Sequence, residues 1–147
     1  MSAAPSDFPD FSRATAFGGA SEARALLRGI RAAAEDIHAF ADGLDEAQLI
    51  ALPQSDRRTY RGLRDALAEI SKRVGEMSAQ IFIRHPNVDW PGWTGVRDIV
   101  SHNHFDEELH RLGPTITDDV PLLLAAVRAE LARLGEDGSK DGKAGST

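Results

Sequence analysis

The chain has 147 residues, a formal net charge of −6, 41% hydrophobic and 27% charged residues, and no cysteine. This is the composition of an ordinary globular domain with a sizeable core, and it excludes a disulfide framework, a thiolate metal centre and a cysteine nucleophile. The acidic balance argues against a general nucleic-acid binder, which carries a basic face, but leaves room for an enzyme that meets RNA at a small basic cleft.

Residues 1–20 are rich in Ser, Ala, Gly and Pro, with Phe8, Phe11 and Phe17 spaced through them. They read as an irregular arm, whose phenylalanines either dock on the folded part or a partner, or are incidental. This segment carries acidic residues and lacks the basic-then-apolar order of a secretory signal. No apolar run approaches the roughly 20 residues needed to cross a bilayer. With the absence of cysteine, this points to a cytoplasmic protein with no membrane partner.

A helical domain is expected over residues 21–135. Its first helix starts near Ser21, a suitable N-cap, and carries Leu26, Ile30, Ala33, Ile37, Phe40 and Leu44 at alternating spacings of four and three. That makes one apolar stripe, and Gly43 weakens its end. A short helical piece from Asp45 to Leu52 ends at Pro53. The second long helix starts near Ser55 with the stripe Tyr60, Leu63, Leu67, Ile70, Val74, Met77 and Ile81, the strongest helical signal in the chain. Arg57, Arg58, Arg61 and Arg64 sit in its first half, either as a solvated face pairing with Asp56, Asp65 and Glu69 or as an RNA-facing patch. Gly75 inside it points to close helix–helix approach, since a helical glycine otherwise costs about 1 kcal/mol relative to alanine.

Pro86 stops that helix after Arg84 and His85. A loop follows, anchored to the core by Trp90 and Trp93. A third helix is expected over 93–112, with Trp93, Val96, Ile99 and Val100 inward, until Gly113 and Pro114 break it. The fourth starts near Thr117, with Asp118 and Asp119 in the first turn where negative charge suits the helix dipole. Its stripe is Val120, Leu123, Leu124, Val127, Leu131 and Leu134. Residues 136–147 are polar and glycine-rich and read as a disordered tail. The expected fold is all-α, an antiparallel bundle of four to five helices. There is no internal repeat, strand pattern or phosphate-cradling glycine loop.

The chemistry-bearing stretch is residues 97–104. Arg97 is followed after four residues by His102 and then by His104. A guanidinium is a planar phosphate clamp, and an imidazole moves protons near neutral pH. Together they can do phosphodiester chemistry without a metal. On a helix, His102 lies roughly 140° around from Arg97, whereas Ser101 and His104 share the face of Arg97. Action of Arg97 and His102 on one phosphate therefore needs a distorted helix or two subunits. Read structurally instead, Arg97 bridges to a carboxylate and His102 is a partly buried histidine; His85 and His110 are given that structural reading. A metal site on His102, His104, Asp106 and His110 is disfavoured: His102 and His110 lie about 12 Å apart along a helix axis, and no ligand from another helix is evident.

The order of these features resembles the HEPN superfamily, and within it the HepT-like toxin group. The resemblance rests on the long helix with Val74-Gly75-Glu76, the His85-Pro86 loop into Trp90 and Trp93, and the run from Gly95 to His102. The last helix, with Asp119-Val120-Pro121 near its start, completes it. It covers about residues 22–134. It implies a dimeric helical bundle acting as a metal-independent endoribonuclease, with no cofactor and with Arg97 and His102 of both subunits meeting at the interface. Asp98 resembles the polar residue that commonly follows the arginine. It further implies a toxin of a type VII-like toxin–antitoxin pair, with an MntA-type nucleotidyltransferase as antitoxin.

HepT-like members continue the motif as Arg-x4-His-x-Tyr and are silenced by adenylylation of that tyrosine. Here His104 stands in its place, and the single tyrosine is Tyr60. His104 is read either as a second proton-transfer group or as a surface or capping histidine. The alternative for the whole chain is a non-catalytic HEPN dimer that binds a nucleotidyltransferase or RNA.

Overall fold

The computed structural model describes the backbone of residues 3–101 and 105–135 and the side chains of 19–101 and 109–135. Among these residues all regular structure is helical, and the chain is an all-α helical bundle. The elements are α1 (Ala3–Ala41), α2 (Glu46–Ile50), α3 (Leu52–Ser55), α4 (Arg57–Val74), α5 (Ala79–Arg84), α6 (Trp90–Ser101), α7 (Phe105–Pro114), a π-helical turn (Thr115–Asp119) and α8 (Val120–Arg133). No helix among the described residues is long and apolar enough to cross a membrane.

The apolar stripes build the core. Leu27, Ile30, Ala33, Ala34 and Ile37 of α1 are buried against Tyr60, Leu63, Leu67, Ile70 and Val74 of α4, with Trp93, Val96 and Val100 of α6 and Val120, Leu123, Val127 and Leu131 of α8. Each fully buried aliphatic side chain contributes about 1.5–3 kcal/mol relative to exposure. α4 packs against both α1 and α6, and α1 packs against α8.

Cross-helix bonds give the register of each pair. Arg73 donates to the Ala25 carbonyl, while near the other end Phe40 lies over Gly62, so α1 and α4 run antiparallel. Arg24 donates to the Leu134 carbonyl and Arg128 pairs with Glu35, which sets α8 antiparallel to α1. Ser71 donates to the Thr94 carbonyl and Arg64 to the Val100 carbonyl, so α6 runs back along α4.

Four boundaries differ from the sequence expectation. α1 begins at Ala3, so the irregular arm expected over 1–20 is helical from Ala3 onward. Alanine favours helix, and lengthening an existing helix requires no new nucleus. The side chains of Phe8, Phe11 and Phe17, and the tail over 136–147, lie outside the described residues.

The second long helix is interrupted: α4 ends at Val74 and α5 begins at Ala79. Gly75 caps α4, and a Cβ there would meet only carbonyls of its own preceding turn. It marks a helix end and not a close approach between helices. Ser78 then caps α5 by accepting from Gln80 N–H. The third helix begins three residues early, at Trp90, and residues 102–104 of its expected span lie outside the description.

Gly113 and Pro114 do not break the chain. α7 runs through Pro114 into the π turn and on into α8. Proline removes one backbone donor and crowds the carbonyl four residues back; a π turn widens the helix by a residue and accommodates this. The Thr117 hydroxyl donates to the Gly113 carbonyl at 3.1 Å.

Gly43 lies at φ +78°, the left-handed conformation that ends α1. Asp45 then forms a capping box with Gln48, so α2 starts immediately.

Candidate active site

α6 presents Arg97. Trp93, Val96 and Val100 recur at three- and four-residue spacing and face inward, which turns Arg97, Asp98 and Ser101 outward, and all three are exposed. Two polar ties hold the helix against α4. The hydroxyl of buried Ser71 donates to the Thr94 carbonyl at 3.1 Å, and the Arg64 guanidinium donates to the Val100 carbonyl at 3.1 Å. The Ser101 hydroxyl turns back onto the Arg97 carbonyl at 2.7 Å.

An open groove of about 380 Å³ runs between the two helices, lined by Asp65, Ala68, Glu69, Lys72, Arg97, Val100 and Ser101. Arg97 and Lys72 bring positive charge to it. The Glu69 carboxylate is paired with Arg73, one turn further along α4. Such a surface can hold a phosphate through a guanidinium and an ammonium.

His102 and His104 lie outside the described residues, as do the side chains of residues 105–108. The structure therefore places Arg97 and Asp98 of the four expected site residues, and sets Arg97 beside Ser101 and Lys72. His110 is exposed on α7. Among the described residues no three His, Asp or Glu side chains are grouped to hold a metal ion.

A second arginine–histidine pair is engaged with a buried carboxylate. Arg84 donates to both carboxylate oxygens of Glu130, at 2.9 and 2.7 Å, and the His85 Nε2 lies 2.6 Å from Glu130 Oε2. Glu130 is only 2% exposed. The Arg84 hydrogen bonds hold its carboxyl below the usual range; burial opposes this in part, and His85 adds a smaller lowering. The Trp90 indole donates to the His85 carbonyl at 2.9 Å and stacks on Phe82 with ring centroids 4.9 Å apart. The cluster ties α5 and the start of α6 to α8, which fits the structural reading of His85. Sequence reasoning missed Glu130. The available signal was its position three residues after Val127 and next to Leu131, on the inward face of α8.

Comparison with known protein families, characterised sequences and solved structures gives no match. The functional reading therefore rests on the residues themselves.

The arginines of the first half of α4 do not share one role. Arg64 serves α6, and Arg57 lies over the Tyr60 ring and donates to the Pro53 carbonyl. Arg58 and Arg61 are exposed. A smaller cavity of about 180 Å³ lies between the α1–α2 turn and the π turn, lined by Leu44, Asp45, Leu49, Ile116 and Asp118 among others. It holds carboxylates but no cation or imidazole, which does not suit a phosphodiester. Beside it, Asp119 is pushed above the usual carboxylate range, first by burial and then by the facing charges of Asp89 and Asp118.

Proposed function

We propose that this protein is a HEPN-type, metal-independent endoribonuclease toxin, acting as a cytoplasmic homodimer. Its site is Arg97 and His102 of both subunits, with Asp98 orienting one of them. The observation that supports this reading is the presentation of Arg97: it stands exposed on an anchored helix, above a groove shared with Lys72, five residues before His102.

In this mechanism His102 takes the proton from an RNA 2′-hydroxyl, and the resulting oxygen attacks the adjacent phosphorus. Arg97 holds the phosphate and offsets the charge gathering on its oxygens. The P–O5′ bond breaks, and the leaving oxygen takes a proton from His102 of the partner subunit or from His104. Acid–base assistance of this kind contributes about 10²–10⁴ in rate. The products are a 2′,3′-cyclic phosphate and a 5′-hydroxyl. End-group analysis of RNA cut by the purified protein tests the chemistry; a 3′-hydroxyl with a 5′-phosphate would contradict it.

The proposed antitoxin is a nucleotidyltransferase of the MntA type. Tyr60, the single tyrosine, is 3% exposed and lies under Arg57. Adenylylation of a tyrosine therefore has no accessible target here, and we propose silencing by occlusion of the cleft or by modification of another residue in it.

The second reading is a HEPN dimer that binds such a partner or RNA without cutting. Asp65, standing in the same groove as Arg97, favours its partner-binding form by disfavouring a polyanion. Growth arrest on expression, abolished by Arg97→Ala, separates the two: the helper reading expects no arrest from either form.

A further inference from the structure

We propose that Lys72, Arg97 and Arg61 form a track for the phosphate backbone of a single-stranded nucleic acid, along the furrow between α4 and α6. The inference concerns binding alone and goes beyond the ribonuclease reading. It uses exposed side chains of two described helices and holds whether or not the bound strand is cut.

The arginines at the start of α4 differ in what they touch. Arg57 lies over the Tyr60 ring and donates to the Pro53 carbonyl, Arg64 donates to the Val100 carbonyl, and Arg58 lies near the Asp56 carboxylate. Arg61 is exposed, and its side chain makes no hydrogen bond or ion pair among the described residues. From Arg61 to Lys72 a helix turns three times and about 20° more, so the two share a face of α4. Lys72 and Arg97 line one groove, and like Arg61 both are exposed and form no ion pair among the described residues.

The two ties between the helices give the spacing. Arg64 meets the Val100 carbonyl and Ser71 meets the Thr94 carbonyl, so Arg97 stands opposite the middle of that interval of α4, near Ala68. Along the axis Lys72 then lies about 6 Å to one side of Arg97 and Arg61 about 10 Å to the other. In a chain of net charge −6, this is a concentrated row of cations. It suits a strand that carries one negative charge per nucleotide.

The groove favours a nucleic acid over a peptide. A peptide draws its affinity from side chains seated in pockets. The exposed large apolar side chains are Ile50, Ile83 and Leu122, and none lines this groove, whose floor is Ala68 and Val100. A nucleic acid draws its non-specific affinity from its phosphates. Tyr60, Trp90 and Trp93 are buried and stack no base, so the track is indifferent to sequence. Glu69 is neutralised by Arg73, while Asp65 stands in the row and opposes the strand, which keeps the affinity low.

The test is fluorescence anisotropy with labelled oligo(dT) of about 12 nucleotides, which has no 2′-hydroxyl for the proposed cleavage to use. Binding is followed between about 50 and 200 mM salt, where each phosphate contact of a single strand contributes a slope of about −0.7 in log affinity against log salt. We expect a slope of about −2 for the parent. Lys72→Ala, Arg97→Ala and Arg61→Ala should each weaken binding about three- to tenfold at the lowest salt and flatten the slope by about 0.7. Asp65→Asn should tighten binding by a similar factor. Arg128→Ala, which removes a cation on α8, should match the parent.

No binding by the folded parent overturns the inference, as does an Arg61→Ala protein with unchanged affinity and slope. Equal weakening by Arg128→Ala also overturns it, since bulk charge would then be responsible. Displacement of oligo(dT) by an oligoglutamate peptide of equal charge and at equal concentration would assign the groove to an acidic protein instead. Binding of oligo(dT) by a protein that cuts no RNA upholds the track while the ribonuclease reading falls. Failure to bind it by a protein that does cut RNA overturns the track alone.

Discussion

Two arginine–histidine pairs lie within twenty residues of each other, and their arginines stand in opposite settings. Arg84 and His85 close on the carboxylate of Glu130, which is buried in the inner face of α8. Their hydrogen bonds hold α5 and the start of α6 to the bundle. Arg97 stands on the outer face of α6, exposed beside an open groove. The residue types are alike, and what separates the sites is a carboxylate delivered from another helix. A guanidinium clamped on a buried carboxylate is architecture, whereas an exposed one on an anchored helix is available to a ligand.

The largest expected effect on stability comes from removing that carboxylate. Glu130→Ala should destabilise the fold by about 3 kcal/mol, the scale for breaking a buried charged cluster, as read by chemical denaturation. The same residue carries a pH signature. The Arg84 hydrogen bonds depress its folded pKa below the ordinary 4.5. Its contribution is therefore fully present above about pH 4.5 and lost as pH falls through the lower folded value. Glu130→Gln should lack that acid-side loss; an unchanged acid limb would place the stabilisation elsewhere.

Smaller effects sharpen the other half of the comparison. Ser71→Ala removes a buried hydrogen bond between α4 and α6, and should cost about 1 kcal/mol of stability in urea titration. It should also reduce cleavage, because it loosens the helix that carries Arg97. Least of all, Asp119→Asn should stabilise by about 0.5 kcal/mol at neutral pH. Burial and the charges of Asp89 and Asp118 raise the folded pKa of Asp119. Its penalty is thus present when it is ionised and vanishes as pH falls through that raised value, so the gain from Asn should disappear in acid.

Much of the fold was legible because apolar spacing is a local property. The stripe from Tyr60 to Val74 and the inward set Trp93, Val96 and Val100 are buried as their periodicity requires. Helix ends were harder, since capping competes with propensity. Gly75 ends α4 where the apolar pattern runs on to Ile81, and the chain crosses Pro114 through a π turn that no periodicity signals.

The polar ties were the least visible part. The bonds from Arg64 to the Val100 carbonyl and from Arg84 to the Glu130 carboxylate join residues 36 and 46 positions apart. Their sequence signature is only a charged or polar residue near an apolar stripe. Of the expected site, Arg97 and Asp98 stand on the outer face of α6, and His102 and His104 lie outside the described residues.

The most direct test is cleavage of total cellular RNA in EDTA by the parent protein, Arg97→Ala, His102→Ala and Arg84→Ala, each normalised to folded dimer. We expect cutting by the parent, loss of at least 100-fold in the Arg97 and His102 variants, and near-parent cutting by whatever Arg84→Ala protein remains folded. Retained cutting by Arg97→Ala, or none by the folded parent, would contradict the division between a structural and a catalytic arginine–histidine pair.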